Sequence, residues 1–478
     1  MNDISPSPET ATPSWTEVFR GRYGVYTLLL NIGILFFALD SFLINTLMPS
    51  IVADIGGVAF YAWAMMLYLV GSIMGAASYG PLRARIGGRQ AFALGGAVFS
   101  LGAFGCSMAS AIGELLVARL VQGTGAGLML AGSMAFISIL FGPQLRRYAI
   151  AVSNVTWVVA AVIGPVQAGL FANFGWWRGA FLVYVPIGTA FLVGILWQIP
   201  KSADQATADS RALRFPIWRV GLLGLGVLCV ASSGLVASPA LRAALIVSAV
   251  LIVWYAFSRD AEAENRLFPS QPLSLSQPVG LAYWGHILIS AAYIAISIYL
   301  PLVLTVLHGI APLYVGFANG IMSIGWSIGA GCAIGLHGRN ERNVVLAGPV
   351  CLMIGSLGMA VVATFGVHFA WVLVCAPIVG IGIFHMHMTA RVMGVARPGE
   401  ESITASSLPT IRALGMAFGT AVASTVGNIA GLQELATPDT VRTAVTSVYL
   451  FNVLPLLLAA MVAARFFQVV EPMPKASR

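Results

Sequence analysis

Charged side chains are scarce: they make up 9% of the 478 residues, 25 basic and 17 acidic. Because a soluble domain carries about 25% charged residues, this scarcity excludes a soluble protein. Cysteine is also rare, and each of the five cysteines lies inside an apolar run. That placement excludes a disulfide framework or a zinc cluster. Apolar residues, by contrast, reach 58%, which indicates an integral membrane protein.

The apolar residues form fourteen runs, and a bilayer crossing needs about 20 residues. Six runs lie between residues 23 and 199, two between 220 and 257, and six between 279 and 467. The two longest polar loops separate these groups. We therefore predict an all-α integral membrane protein with 14 transmembrane helices arranged as 6+2+6.

The arginines and lysines test this topology, because cytoplasmic loops are enriched in them. With the N-terminus inside, 20 of the 25 lie in cytoplasmic segments, three outside and two within spans. The net charge of +8 is thus explained by topology, and no nucleic-acid partner is expected. We predict a multi-pass protein of the cytoplasmic (inner) membrane with both termini cytoplasmic. The predicted parts are a cytoplasmic tail (1–21), an N-terminal six-helix bundle (22–200), polar linkers with two inserted helices (201–275), a C-terminal six-helix bundle (276–468) and a cytoplasmic tail (469–478).

Asp40 is the one acidic residue deep within a predicted span. A charge there costs about 2.5–3.5 kcal/mol on insertion and is a functional-site hypothesis by default. The pKa of its carboxyl group would depend on whether a proton, a cation or an arginine is present beside it. Such a group can couple proton flow to substrate movement. The alternative is a static ion pair with Arg119. Arg119 cannot be neutralised and needs a partner, either Asp40 or the carbonyl end of a helix.

The C-terminal runs hold basic candidates only. Arg412 is either a substrate contact or a packing anchor near the cytoplasmic end of its helix. His385 and His387 stand in a Met-rich stretch typical of copper sites. Residues i and i+2 lie about 200° apart on a helix, so they face different sides and no metal site is expected. One of His385 and His387, or His286, is either an auxiliary proton site or a packed, hydrogen-bonded histidine.

Other candidates concern gating and recognition. Gly164, Pro165 and Gly169 predict a gating kink, since proline removes one backbone hydrogen bond and glycine permits close packing. Aromatic residues on the second helix suit lipophilic cations or a lipid-facing surface equally well. The remaining possible substrate or proton contacts are Asn45, Tyr61, Trp63, Gln122 and Trp157.

These residues resemble the major facilitator superfamily, and within it the fourteen-helix drug:proton antiporters. The similar segments follow one another in the order of that family over nearly the whole chain. They are Leu39–Pro49 in the first helix, Arg119–Gly125 in the fourth, Gly164, Pro165 and Gly169 in the fifth, Trp177, Arg178, Phe181 and Pro186–Gly188 at the sixth, and Arg412–Gly415 in the thirteenth. The resemblance implies the major facilitator fold, with Asp40 in proton and substrate coupling and Arg119 assisting it.

The sequence also departs from that pattern. The loop after the second helix resembles the superfamily's gating motif in Gly80, Arg85, Gly87 and Arg89. Ala84 stands where the motif has an aspartate, so an acidic anchor of the inward gate is missing. Ala160 and Ala168 replace glycines of the fifth-helix motif. The second half adds no membrane carboxylate, so one coupling site is expected.

We therefore expect a proton-coupled antiporter that exports hydrophobic, cationic drugs or toxic compounds by alternating access. It is expected to be no enzyme, to have no catalytic residues, metal or cofactor, and to work as a monomer with small hydrophobic substrates, protons and the bilayer as partners. One carboxylate predicts electroneutral exchange of a monocation for one proton. The alternatives are a dedicated exporter of one metabolite or natural product, and a non-transporting membrane sensor or scaffold, which Ala84 favours.

Overall fold

The computed structural model describes residues 15–200, 217–263, 266–332, 338–379, 382–432 and 437–470, and every long element in these ranges is a helix. A 3₁₀ turn (Val58–Phe60) precedes α2, and a π-helical segment (Val303–Leu307) continues α10. The helices are α1 (Gly21–Ile55), α2 (Trp63–Ile86), α3 (Gly88–Met108), α4 (Ile112–Leu140), α5 (Pro143–Asn173), α6 (Trp177–Leu182), α7 (Tyr184–Gln198), α8 (Ile217–Ser233), α9 (Pro239–Ala261), α10 (Pro278–Leu302), α11 (Pro312–Cys332), α12 (Gly338–Phe365), α13 (Ala370–Val379), α14 (Ile383–Gly394), α15 (Glu401–Ile429), α16 (Pro438–Phe451) and α17 (Val453–Val470).

The helices follow the predicted apolar runs, three of which are broken into two helices: α6 with α7, α13 with α14 and α16 with α17. Ten segments of the described ranges are long and apolar enough to cross a membrane. The all-helical membrane class is thereby confirmed, whereas the number fourteen remains a prediction. Most of the predicted N-terminal tail, the linker 201–216 and most of the predicted C-terminal tail lie outside the described residues.

The outer surface of the helices is apolar, as a bilayer requires. Large side chains stand out from it on helices of both halves of the chain, with Trp197 81% exposed and Phe365 75% exposed. On α9 the exposed side includes Val250, Leu251 and Trp254. Such continuous apolar exposure would cause aggregation in water and instead fits lipid contact.

Two helices contain a proline near their C-terminal end and continue past it. α1 continues through Pro49 to Ile55, and α2 continues through Pro81 to Ile86. A proline removes only one hydrogen bond of the helix, and membrane helices tolerate this where neighbours pack against them. The predicted gating loop is therefore wrong as a loop: Gly80 and Arg85 are helical, and only Gly87 separates α2 from α3. Gly87 has φ of 86°, a conformation that favours glycine.

The packing groups the helices into an N-terminal half (α1–α7) and a C-terminal half (α10–α17). In the first, α4 packs against α2 and α3, and α1 against α5; in the second, α10 packs against α15 and α17. The halves meet where α5 packs against α11 and α2 against α15. Glycines bring these helices close: a Cβ on Gly316 of α11 would lie 2.2 Å from the Pro165 carbonyl oxygen of α5.

Between the halves, α8 and α9 pack on each other, and α8 also contacts α2 and α15. Arg219 of α8 forms a buried ion pair with Asp260 of α9. Asp260 also accepts hydrogen bonds from the Leu267 and Phe268 amides, so it fixes the chain that follows α9. Asp260 lies beyond residue 257, where the predicted apolar run ends, but α9 extends to Ala261 and buries it.

Candidate functional site

The centre of the N-terminal half is a buried ion pair. Arg119 Nη1 on α4 donates to Asp40 Oδ2 on α1 across 2.5 Å, and both side chains are fully buried. Gln122 Nε2, one turn further along α4, donates to Asp40 Oδ1 across 3.0 Å, and its Oε1 accepts from Arg119 Nη1 at 2.7 Å. The carboxylate thus has a donor on each oxygen. The predicted partnership of Asp40 and Arg119 matches this geometry.

The Arg119 guanidinium has further contacts on α2, and these fix its orientation. Its Nε donates to the Ala64 carbonyl oxygen on α2 at 3.2 Å, so it uses a backbone carbonyl as well as the carboxylate. The guanidinium carbon also lies 4.3 Å from the ring centroid of Tyr68. Among the described residues, its Nη2 has no hydrogen-bond partner. Both N–H groups of Nη2 are therefore left without an acceptor in the described part of the bundle.

Aromatic rings lie beside the carboxylate on α1. Phe37, three residues before Asp40, packs edge-on against Trp157 of α5 at 5.6 Å between centroids. The Tyr68 hydroxyl donates to the Phe37 carbonyl oxygen at 3.0 Å. Trp157 is partly exposed, whereas Phe37 and Tyr68 are buried. Trp157 therefore lies on the aromatic side of the ion pair, and its contact with substrate remains a prediction.

A different polar group occupies the C-terminal half. The Nδ1 atoms of His286 on α10 and His385 on α14 lie 2.8 Å apart, and the two rings stack at 5.0 Å. Both histidines are buried. Arg412 of α15 is their charged neighbour, and its side chain is partly buried. No ion pair to Arg412 is found among the described residues, in contrast with Arg119.

Sequence reasoning missed a second ionic group at the start of α12. Glu341 accepts two hydrogen bonds from Arg391 of α14, at 2.8 and 2.7 Å, and its Oε1 lies 3.6 Å from His387 Nδ1. His385 and His387 therefore face different sides of α14, as helix geometry predicts. In the sequence, Glu341 and Arg391 are separated by fifty residues. No motif has that spacing, so the pair could not be predicted.

Polar side chains join the two halves near the end of α1. Asn45 Nδ2 donates to Ser297 Oγ of α10 at 3.2 Å, and Asn319 Nδ2 of α11 donates to Thr46 Oγ1 at 3.0 Å. Asn428 of α15 donates to the Ala59 carbonyl oxygen at 2.9 Å. Asn45, predicted as a substrate or proton contact, thus belongs to the contact surface between the halves in this conformation.

Aromatic rings close the same end of the molecule. Tyr61 stacks on Tyr299 of α10 at 5.6 Å, and the Tyr61 hydroxyl is buried without a hydrogen-bond partner among the described residues. Trp63, partly exposed, packs edge-on against Phe60 at 5.4 Å. Both predicted aromatic contacts therefore lie at this end rather than beside Asp40.

The predicted gating helix contacts both halves. A Cβ on Gly164 would lie 2.8 Å from the Leu39 carbonyl oxygen, directly beside Asp40, and one on Gly169 would lie 2.6 Å from the Pro312 carbonyl oxygen. α5 thus approaches the ion pair of one half and the backbone of the other half within two turns. At the opposite end, Arg89 Nη1 donates to the Leu196 carbonyl oxygen in the last turn of α7 at 3.1 Å, while Arg85 is exposed.

The described residues contain no group of three or more His, Cys, Asp or Glu side chains placed to hold a metal ion.

Known proteins place this arrangement in a family. A sequence profile of the Major Facilitator Superfamily matches residues 30–420. The chain belongs to the Major Facilitator Superfamily. A similar sequence is a probable multidrug-efflux transporter of Mycobacterium tuberculosis strain H37Rv, 31% identical over 444 residues, which are 90% of this chain and 93% of the relative. A riboflavin transporter of Clostridioides difficile is 24% identical over 83% of this chain and 86% of its own length.

A solved structure gives the same fold. The peptide transporter POT, in a mutant form, superposes with a TM-score of 0.66 over 96% of this chain and 100% of that structure, at 16% identity. The chain is therefore a multi-pass membrane transporter of this superfamily rather than an enzyme.

Proposed function

We propose that this transporter is a proton-coupled antiporter that exports hydrophobic, cationic compounds. Its similarity to named multidrug-efflux transporters supports export. The proposal of proton coupling depends on one observation, the fully buried Asp40 whose two oxygens are held by Arg119 and Gln122. An ionisable group inside a membrane bundle is retained at considerable cost and is a default site of ion coupling.

Asp40 can exchange partners because Arg119 has other contacts. When a proton binds the carboxylate, it loses its charge and its attraction for Arg119 falls to that of a neutral hydrogen bond. Arg119 keeps the Ala64 carbonyl and the Tyr68 ring as alternative contacts. A cationic substrate can then compete with the proton for the same carboxylate, which is the requirement for antiport.

The substrate would lie on the aromatic side of the pair. Trp157 is partly exposed and contacts Phe37, so a flat lipophilic cation can stack there while its charge faces Asp40. Flat apolar surfaces discriminate weakly between ligands. We therefore expect the transporter to export several substrates rather than one.

We also propose the membrane arrangement that the basic residues predict: fourteen spans as 6+2+6 in the cytoplasmic membrane, both termini cytoplasmic, and a monomer as the working unit. In that orientation α1 ends on the outer side. The contacts Asn45–Ser297, Thr46–Asn319 and Tyr61–Tyr299 then close the outer side of the transporter. The conformation corresponds to an outward-closed state, and transport requires these contacts to break.

A dedicated exporter of one compound is the second candidate. It is favoured by the similarity to a riboflavin transporter and by Arg412, which can hold an acidic group of one specific ligand. Competition distinguishes the two functions: unrelated lipophilic dyes should compete for export by a multidrug antiporter and should not affect a dedicated exporter.

The test is efflux of ethidium from proteoliposomes under an imposed pH gradient, with wild type and Asp40→Asn compared. Wild type should build a gradient of about tenfold per pH unit for a 1:1 exchange. Asp40→Asn should lose this dependence on the pH gradient, because the amide cannot take up a proton. Equal pH-driven efflux by both proteins would refute Asp40 as the coupling site. The absence of efflux by both would exclude the multidrug function.

A further inference from the structure

The histidine pair joins the first and the fourth spans of the C-terminal half. His286 lies on α10, the first helix of that half, and His385 lies on α14, which with α13 forms its fourth span. Asp40 and Arg119 lie on α1 and α4, the first and fourth helices of the N-terminal half. Each half therefore carries one buried polar pair on corresponding helices. One pair is a carboxylate with a guanidinium, and the other is two imidazoles.

The distance between the two rings limits how many protons they hold. At 2.8 Å between Nδ1 atoms, one nitrogen must donate a hydrogen and the other must accept it. If His286 donates, its Nε2 keeps a free lone pair, and that atom is buried without a hydrogen-bond partner among the described residues. A proton added there makes His286 an imidazolium and leaves the contact intact. A second added proton would place two donors against each other, so the pair takes up one.

Arg412 is the charged group that faces the pair. The other charged side chains that the structure describes on the helices packed around α10 and α14 have their own partners or lie at the surface. Asp40 pairs with Arg119, His387 and Arg391 with Glu341, and Arg442 with Asp439, while Tyr314 and Arg465 are exposed and Arg342 is partly exposed. A protonated pair would thus stand beside the positive charge of Arg412.

We propose that His286 and His385 form a second proton-binding site of the transporter. The inference rests on the proposed antiport and deepens it, because each cycle would then carry two protons, one on Asp40 and one on the histidine pair. Protonation places two positive charges side by side in the C-terminal half and repels a cationic substrate. Substrate and proton thus exclude each other in both halves.

The proposal changes the electrical balance of the cycle. One monocation leaving for one proton entering moves no charge, as a single carboxylate predicts. Two protons entering for the same monocation move one positive charge inward. A membrane potential of 100 mV, negative inside, would then sustain an outward ethidium gradient of about 50-fold without any pH gradient.

The experiment uses the full-length protein in proteoliposomes, with a potassium diffusion potential set by valinomycin and equal pH on both sides. The variant is the double substitution His286→Asn and His385→Asn, because asparagine places an amide where Nδ1 stood and does not titrate. The matched control is His308→Asn, a histidine beyond the π-helical end of α10. Liposomes without protein correct for passive leakage of ethidium.

Wild type and His308→Asn should export ethidium in response to the potential alone. The double variant should lose that response and keep export driven by a pH gradient. If the double variant responds to the potential like wild type, the histidine pair is not the second site. If wild type responds to the pH gradient and not to the potential, the second proton does not exist, whether or not the variant folds. If wild type responds to neither gradient, the proposed antiport itself fails.

Discussion

The two halves of the transporter each place an arginine on a membrane helix, but in different surroundings. In the N-terminal half, Arg119 meets Asp40, Gln122 and the Ala64 carbonyl, so its charge is compensated within the protein. In the C-terminal half, Arg412 faces two histidines and has no ion pair among the described residues. The first arrangement can exchange its partner for a proton or a cation. In the second, which we propose as a proton site, a bound proton and a cationic substrate would repel each other.

The largest expected difference concerns stability. Replacing Arg119 by glutamine leaves the Asp40 carboxylate buried without its counter-charge, which should lower the free energy of unfolding by about 3 kcal/mol or more. Arg412→Gln removes a cation that has no carboxylate partner among the described residues and should change it by less than about 1 kcal/mol. Thermal unfolding of the two variants in the same detergent measures this contrast.

A third variant separates charge from packing. Combining Arg119→Gln with Asp40→Asn should recover part of the stability that Arg119→Gln loses, because no unpaired charge then remains. Equal losses for Arg119→Gln and Arg412→Gln would show that the two arginines have the same role and would break the comparison.

The contact between the halves allows a second, smaller contrast on a single helix. A Cβ on Gly316 of α11 would lie 2.2 Å from the Pro165 carbonyl oxygen, whereas a Cβ on Gly320, one turn later, would lie 3.8 Å from the nearest such atom. Gly316→Ala should therefore cost about 1–3 kcal/mol in this conformation and slow transport. Gly320→Ala should be close to neutral. Melting temperatures and ethidium efflux rates report both effects, and a neutral Gly316→Ala would contradict the close contact of α5 and α11.

The smallest contrast concerns two tyrosines on neighbouring turns of the same region. The Tyr68 hydroxyl donates to the Phe37 carbonyl oxygen beside the ion pair, whereas the Tyr61 hydroxyl has no partner among the described residues. Tyr68→Phe should therefore destabilise the protein by about 1 kcal/mol, and Tyr61→Phe should be neutral or slightly stabilising. Chemical or thermal denaturation of the two variants distinguishes these outcomes, and the reverse order would contradict the hydrogen-bond assignment.

Hydropathy and charge were enough to predict where the helices lie. A long apolar segment in a membrane must satisfy its own backbone hydrogen bonds, and a helix does so. The partnership of Asp40 and Arg119 followed from the cost of an isolated buried charge. The histidine pair did not follow, since His286 and His385 are 99 residues apart and neither is costly when neutral. Asp260 was missed for a similar reason: a carboxylate at a helix end is ordinary in sequence, and only the fold shows Arg219 against it. Chain order thus reveals which groups need partners but not which distant helices supply them.

The central claim is that Asp40 exchanges a proton for the substrate. The most direct measurement is proton movement driven by the substrate, followed with a pH-sensitive dye trapped inside proteoliposomes while ethidium flows down its own gradient. Wild type should move protons against the ethidium flow, and Asp40→Asn should carry fewer protons per ethidium or none. If Asp40→Asn moves as many protons per ethidium as wild type, the buried ion pair is structural and the account is wrong.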